Sequence, residues 1–287
     1  MATVPPSPAA THASAAPASA PAPRDLSPVN WLGVWTLYKK ECGRFLRVWL
    51  QTLLAPLVSN LLYMTVFVVV FAERRGDAGG SAGGGAAEFA EFLVPGLVML
   101  GILNNASANT SSSLMGSKMN GAIVDVLMPP LAYGELAAAY IGGAVTRGLL
   151  VALTTAVALS FFVPLWPQHL WAVLFFGLGA ASLMAMVGLL TGIWAEKFDQ
   201  LAVVNQFVIL PLSFLSGTFY SIGSLPEAWQ TVSLLNPLFY LIDGFRYGFL
   251  GTAEGDLRIG ILYTLALNAI LFAVCLRVLK SGWRLKA

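Results

Sequence analysis

Long apolar stretches separated by short polar segments organise this chain, and six of them are long enough to cross a membrane. A helix rises 1.5 Å per residue, so about 20 residues cover a hydrocarbon core about 30 Å thick. The pattern therefore predicts an all-α polytopic membrane protein with six transmembrane helices. The predicted spans are Trp49–Ala72, Phe92–Met115, Ala138–Val163, Leu170–Trp194, Leu201–Ile222 and Ile259–Leu279.

The distribution of cationic side chains predicts how these spans are oriented. Only 10% of the 287 residues are charged and 57% are hydrophobic, whereas soluble domains carry about 25% charged residues. With the N-terminus inside, 11 of the 16 Lys and Arg residues face the cytoplasm, four face outward and Arg147 lies within a span. The positive-inside rule then predicts a multi-pass membrane protein with both termini cytoplasmic.

The chain shows no constellation for catalysis or metal binding. Its two cysteines, Cys42 and Cys275, and its two histidines, His12 and His169, have no ligand-spaced neighbours. The glycine-rich first outer loop, Glu73–Glu91, lacks the Gly-Lys-Ser/Thr of a nucleotide-binding loop and is predicted to be flexible. The predicted spans contain no carboxylate. This disfavours a membrane-embedded enzyme and a stand-alone secondary transporter or channel, which stays the alternative function.

The segment before the first span divides into two parts. Residues 1–30 are rich in Ala, Pro and Ser and are predicted to form a disordered cytoplasmic tail. Trp31–Arg47 places Trp31, Trp35 and Tyr38 on one helical face among cationic residues. This pattern predicts a helix lying in the membrane interface. The alternative is a plain cytoplasmic extension of the first span.

Polar side chains at membrane depth define one candidate site. Asn105, Asn109 and Ser112 share a helical face of the second span, and Arg147 lies well inside the third. An arginine at the membrane centre costs about 2.5–3.5 kcal/mol on insertion scales, so Arg147 requires a partner, a cavity or an interface. These residues either line a translocation path or pack helices together, and the pattern leaves both open.

The longest inner loop, between the second and third predicted spans, contains a second candidate site. Asn120-Gly121 and Pro129-Pro130 bound a short amphipathic segment, Ala122–Met128. Because a proline pair stops a helix, we expect a short helix that could dock on a soluble partner. The alternative is a simple re-entry turn.

The region between the fifth and sixth predicted spans is too broken for a span and too aromatic for a free loop. It predicts short re-entrant helices on the outer side, packed against protein. Asp243 and Arg246 are three residues apart, so they are predicted to form a structural ion pair. Direct substrate contact is the alternative role for this pair.

Four motifs together resemble the type-2 ABC exporter permeases, and in particular the branch similar to the nodulation-factor exporter. The resemblance runs from about Trp31 to the C-terminus, and the last motif is its most specific part. The motifs are Phe92-Leu-Val-Pro-Gly96, Leu127-Met-Pro-Pro130, Pro211-Leu-Ser-Phe-Leu-Ser-Gly217-Thr-Phe-Tyr220 and Asn236-Pro-Leu…Asp243-Gly-Phe-Arg-Tyr-Gly248.

The resemblance implies a permease domain, residues 31–287, that dimerises in the bacterial inner membrane and forms the substrate path. ATP and Mg²⁺ would bind to separate ATPase subunits, and this chain would carry no cofactor. The substrate could be a lipid, a glycan or an amphipathic drug, and no nucleic acid is implied. Gly121–Pro130 would be the coupling helix and Pro226–Gly248 the outer re-entrant helices. The implied coupling residues are Lys118, Asn120, Asp125, Pro129 and Pro130, and the outer structural residues are Asn236, Asp243 and Arg246.

Overall fold

The computed structural model describes residues 29–77, 85–164 and 166–284, which form helices and connections without a strand. The helices are α1 (Trp31–Arg47), α2 (Ala55–Asp77), α3 (Gly85–Met119), α4 (Ile123–Leu127), α5 (Tyr133–Ser160), α6 (Leu170–Trp194), α7 (Phe198–Val204), α8 (Leu210–Leu215), α9 (Glu227–Leu235), α10 (Pro237–Leu250) and α11 (Leu257–Ser281). The all-α prediction is confirmed.

Six helical segments of the described chain are long and apolar enough to cross a membrane, as predicted. Several predicted bounds differ from the structure by a few residues, and the fifth span differs most clearly, because its helix stops at Leu215 and not at Ile222. Gly217 follows with φ of 73°, a left-handed conformation that glycine adopts without steric cost. The spans are Leu50–Val70, Ala87–Met119, Tyr133–Ser160, Leu170–Trp194, Phe198–Leu215 and Leu257–Ser281.

The first outer loop is shorter than predicted. Helix α2 continues to Asp77 and α3 already begins at Gly85, so both ends of the predicted Glu73–Glu91 loop are helical. Ala90 explains the early start of α3, because it is buried in the main hydrophobic cluster. Gly79, Gly80, Gly83 and Gly84 of this loop, and residues 1–28 of the predicted tail, lie outside the described residues.

Helix α3 is the centre of the bundle. In its most apolar stretch 67% of the residues are buried, against 11% for the first span and 11% for the fifth. Its partner α6 approaches it very closely, since a methyl group on Gly188 would overlap the carbonyl oxygen of Ser107 and Oγ1 of Thr110. Thr110 Oγ1 also donates to the carbonyl oxygen of Ala185 at 2.8 Å. Small residues thus let the two helices pack and hydrogen-bond directly.

Two short helices, α9 and α10, precede the last span where re-entrant helices were predicted. Asn236 joins them to the end of the fifth span. Its Oδ1 accepts from the backbone N–H of Leu238 and so caps α10. Its Nδ2 donates to the carbonyl oxygen of Leu212 at 2.7 Å and to Ser216 Oγ at 2.8 Å. The structural role predicted for Asn236 fits these bonds.

The predicted ion pair between Asp243 and Arg246 is wrong. Both side chains are buried, but each binds backbone groups from other parts of the chain. Asp243 accepts from the N–H groups of Glu254 and Gly255, at 3.0 Å each, and so holds the α10–α11 connection. Burial raises the pKa of Asp243, and these two N–H donors oppose that shift.

Arg246 instead fixes α10 to the start of α3. Its guanidinium lies 3.7 Å from the centre of the Phe92 ring. It donates to the carbonyl oxygens of Phe92 at 3.3 Å and Gly217 at 2.8 Å. Burial lowers the pKa of Arg246 to about 10, so the group stays charged at neutral pH. Helical spacing places the two charged side chains near each other, but their hydrogen-bond partners are backbone groups distant in sequence.

We predict that the charge swap D243R/R246D gives no recovery of stability over either single alanine variant. Each single variant leaves buried backbone groups without a hydrogen-bond partner, which lowers the free energy of unfolding by about 1–3 kcal/mol. The swapped side chains present a donor to N–H groups and an acceptor to carbonyl groups, so the costs add. Melting curves of the purified variants, with exposed Arg258→Ala as the control, measure this. A double variant more stable than both singles would restore the ion-pair hypothesis.

We also predict that Gly188→Ala destabilises the bundle by about 1–3 kcal/mol, the usual cost of overpacking. The added methyl must displace α3 from α6 or break the Thr110 hydrogen bond. Gly116→Ala is the matched control, because no atom lies within 4 Å of a Cβ added there. Thermal unfolding in one detergent compares the two variants. Equal melting temperatures for both would contradict the close contact.

Candidate functional site

A carboxylate on α1 begins a polar cluster that joins three helices. Glu41 is fully buried, although α1 precedes the first span. Its Oε1 accepts from Ser113 Oγ of α3 at 2.7 Å, and its Oε2 lies 3.3 Å from Nη2 of Arg44. Gly143 of α5 makes room for Glu41, because a Cβ at that position would come within 2.6 Å of the Glu41 Cβ. The carboxylate is therefore enclosed by α1, α3 and α5.

Arg44 carries the cluster onto the polar face of α3. Its Nη2 donates to the backbone oxygen of Asn109 at 2.7 Å and to Asn109 Oδ1 at 2.8 Å. Its Nη1 donates to Ser112 Oγ at 3.2 Å. Two of the four predicted path residues are thus partners of a cation from the N-terminal helix. The helix-packing interpretation accounts for Asn109 and Ser112.

Arg147 approaches the same face from α5. Its Nη2 donates to Asn105 Oδ1 at 3.3 Å and its Nη1 to Asn109 Oδ1 at 3.5 Å, both long contacts. Its Nε is buried without a hydrogen-bond partner among the described residues. The ion pairs of the described residues join Arg44 to Glu41 and Arg284 to Glu196, and neither includes Arg147. Arg147 has amide neighbours but no carboxylate.

Arg44, Asn105 and Arg147 face a partly enclosed cleft of about 630 Å³ on one side of the bundle. The other polar groups on its wall are Gln51, Thr52, Ser59, Asn60 and Asn104. Its apolar wall is formed by Phe45, Val48, Ala55, Pro56, Tyr63, Leu100, Gly101 and Leu210. The cleft therefore lies between the first span, α3, α5 and the fifth span, with amides and cations beside an apolar wall.

The structure places all four residues predicted as a path in one polar cluster, but only Asn105 and Arg147 line the cleft. The sequence analysis missed three residues of this site: Arg44, Asn60 and Glu41. Asn60 is buried, lines the cleft and has an unpartnered Nδ2. Glu41 was missed because it falls outside the predicted spans. A signal was present, since Leu37, Glu41 and Phe45 lie on one helical face at i, i+4 and i+8. All three are buried, so that face of α1 packs against the bundle.

The predicted coupling segment forms the short helix α4. It follows Gly121, whose φ of 68° marks a helix stop, and it is closed by Pro129 and Pro130. Ile123 and Val126 are buried and anchor α4 to the bundle. Val124 and Met128 are 55% and 76% exposed on its other side. The helix thus presents an apolar surface outward, which a simple re-entry turn does not require.

Four of the five predicted coupling residues lie on this exposed segment. Asn120, Asp125, Pro129 and Pro130 are exposed. Lys118 has a different environment: its Nζ donates to the carbonyl oxygens of Ile193 at 2.8 Å and Ala195 at 2.5 Å. It therefore satisfies the open carbonyl groups at the end of α6.

The coupling segment is also tied to the N-terminal helix. Asn30 caps α1 by accepting from the N–H of Gly33 at 3.0 Å, and its Nδ2 donates to the carbonyl oxygen of Pro130 at 3.3 Å. Its backbone N–H donates to Glu135 Oε1 at 2.7 Å. A displacement of α4 would therefore pull on α1, which carries Glu41 and Arg44.

The described residues contain no group of three His, Cys, Asp or Glu side chains that could hold a metal ion. The cleft offers hydrogen-bond donors, acceptors and positive charge, but no nucleophile paired with a base.

Comparison with known proteins gives one consistent result. Residues 33–250 match the family model described as ABC-2 type transporter. The chain is 37% identical over 259 residues to the inner membrane transport permease YadH of Escherichia coli K12, covering 90% of this chain and 98% of that protein. It is 25% identical over 242 residues to nodulation protein J of Rhizobium leguminosarum bv. viciae, covering 82% and 88%. The chain therefore belongs to the ABC-2 type transporter family and is a membrane-spanning permease of that family.

Proposed function

We propose that this chain is the permease subunit of an ABC exporter in a bacterial inner membrane, and that two copies form the substrate path. The observation that carries the proposal is the cleft beside Arg147 on one side of the bundle, which combines amide and cationic groups with an apolar wall. A lipid, a glycan or an amphipathic drug has the mixed surface that such a wall accommodates. The similarity to YadH, which is named an inner membrane transport permease, supports location in the inner membrane. The positive-inside pattern of the cationic residues supports cytoplasmic termini.

The dimer proposal rests on the exposure of the two spans that flank the cleft. In the most apolar stretches of Leu50–Val70 and Phe198–Leu215 only 11% of the residues are buried, so both spans leave surface for a further partner. The first span carries the exposed polar residues Gln51 and Ser59 on the wall of the cleft. Polar groups at membrane depth favour protein or a wet cavity over lipid. A second copy placed against these spans would close the cleft into a shared path.

The energy source is proposed to be ATP and Mg²⁺ bound on separate ATPase subunits. Helix α4 supplies the contact, because its buried residues fix it to the bundle while Val124, Leu127 and Met128 remain exposed. Movement of α4 would reach the cleft in two steps: Asn30 links its end to α1, and Arg44 links α1 to α3.

We expect the purified chain to show no ATPase activity above background and to support transport-coupled hydrolysis only with its ATPase subunit.

The double variant V124D/M128D would place two charges in the docking surface, where binding must desolvate them. We therefore expect co-purification of the ATPase subunit to fall at least tenfold, because a tenfold loss of affinity needs only about 1.4 kcal/mol. Affinity pull-down from membranes, followed by ATPase assay, measures both effects.

Trp166→Asp is the control, because Trp166 is 84% exposed and lies in the α5–α6 connection, at the opposite end of α5 from α4. The control should bind the ATPase subunit normally. Full ATPase binding by V124D/M128D would exclude α4 as the docking helix. Transport by the chain alone, driven by an ion gradient, would favour the stand-alone transporter instead.

A further inference from the structure

The cleft contains a positive charge that the protein does not neutralise. Arg44 and Arg147 both line it, and no Asp or Glu is among the described residues of its wall. Arg44 already has Glu41 as a partner at 3.3 Å. Arg147 has only two amide oxygens, at 3.3 and 3.5 Å, and an Nε without a partner. One guanidinium is therefore left without a counter-charge.

Its position makes this charge unusual. Arg147 lies 14 residues after the first residue of α5 and 13 before the last, so it is at the centre of a helix long enough to cross a membrane. A long arginine side chain near a helix end can reach the headgroup region, but one at the centre requires a partner or water. Because arginine stays protonated in proteins, removing the charge by deprotonation is not available.

The other residues of the cleft wall indicate which kind of ligand would fit. Beside Arg147 stand three amide side chains, Asn60, Asn104 and Asn105, which can bind the oxygens of a polar head. The same cleft has an apolar surface that includes Tyr63, Leu100 and Leu210. A guanidinium forms paired hydrogen bonds with the oxygens of phosphate, sulfate or carboxylate groups.

We propose that Arg147 is the centre of a binding site for the negatively charged head of an amphiphile, whose apolar part lies along the α2 side of the cleft. The proposal rests on the function proposed above and narrows its substrate class to amphipathic anions. Neutral glycans and cationic drugs are thereby disfavoured, because neither compensates the charge of Arg147.

The test is a binding measurement on the purified permease without ATP or ATPase subunit. Fluorescent phosphatidylglycerol and diacylglycerol, which has no anionic group, are labelled on the same acyl chain and titrated in one detergent. The wild type is expected to prefer phosphatidylglycerol by about tenfold, the gain of one charge-assisted contact. R147K should keep part of the preference, because it keeps the charge and loses the paired geometry. Equal binding of the two lipids by the wild type would overturn the proposal.

Two variants remove the free charge in different ways. R147Q deletes the guanidinium, and N105D places a carboxylate where Asn105 Oδ1 now lies 3.3 Å from it. Both should bind the two lipids equally, so the result does not depend on either variant alone folding well. K40Q is the control, since it removes one exposed positive charge of α1 away from the cleft wall. A phosphatidylglycerol preference that survives in N105D or in R147Q would also overturn the proposal.

Inorganic phosphate separates the two possible sources of the anion. If millimolar phosphate displaces phosphatidylglycerol, the site binds the anionic group itself. If phosphate does not displace the lipid, the site requires the whole lipid. The outcome is independent of ATPase docking, because no ATPase subunit is present. A transporter that couples normally but shows no lipid preference would refute the anion site and leave the proposed function intact.

Discussion

The buried contact between Glu41 and Arg44 of α1 and the polar face of α3 is the interaction on which the functional part of this structure depends. In a membrane, a polar group without a hydrogen-bond partner strongly destabilises the fold, so polar side chains determine which helix faces pack together. Glu41 is fully buried and Arg44 donates to both the backbone and the side chain of Asn109. These bonds hold an N-terminal helix against the centre of the bundle. They also leave Arg147 as the one cation of the cleft wall without a carboxylate partner among the described residues.

The packing of α3 explains why a polar stretch can lie at membrane depth. In its apolar half Leu93, Leu97 and Leu103 are completely buried in the main cluster. Its polar half meets α6 through Gly188 and α1 through Arg44. The hydroxyl groups of Thr110, Ser112 and Ser113 and the side-chain oxygen of Asn109 therefore have partners within the protein. Asn104 and Asn105 lie further along and face the cleft. The same helix thus contributes to both the rigid core and the proposed path.

Much of this architecture could be predicted from the sequence, because span length, charge bias and proline pairs act locally. The six spans, the helix at Trp31–Arg47 and the short helix before Pro129 follow from such signals. The partner of Arg246 could not be predicted in this way. Its acceptors belong to Phe92 and Gly217, and the Phe92 oxygen is 154 residues away in sequence. Helical spacing says which side chains are neighbours, but backbone groups brought in by the fold compete for the same charges.

The cleft could be anticipated only in part for the same reason. The sequence identifies Asn105 and Arg147 as polar groups within spans that require a partner or a cavity, and the structure places them together. Whether a polar residue packs or lines a cavity depends on what other helices bring near it. Arg44 bonds to Asn109 and Ser112, whereas Arg147 makes only long contacts with side-chain amide oxygens, at 3.3 and 3.5 Å. Three-dimensional proximity, which one sequence does not contain, decides between the two roles.

The most direct test of this account asks whether ATP changes access to the cleft. A single cysteine at position 104, in a chain with Cys42 and Cys275 replaced by serine, is labelled with a membrane-impermeant maleimide in the complex with the ATPase subunit. The account predicts that the labelling rate differs clearly between the ATP-bound and nucleotide-free states, while a cysteine at the exposed position 166 reacts at the same rate in both. Equal labelling of position 104 in the two states would contradict the claim that this cleft is the path that ATP opens and closes.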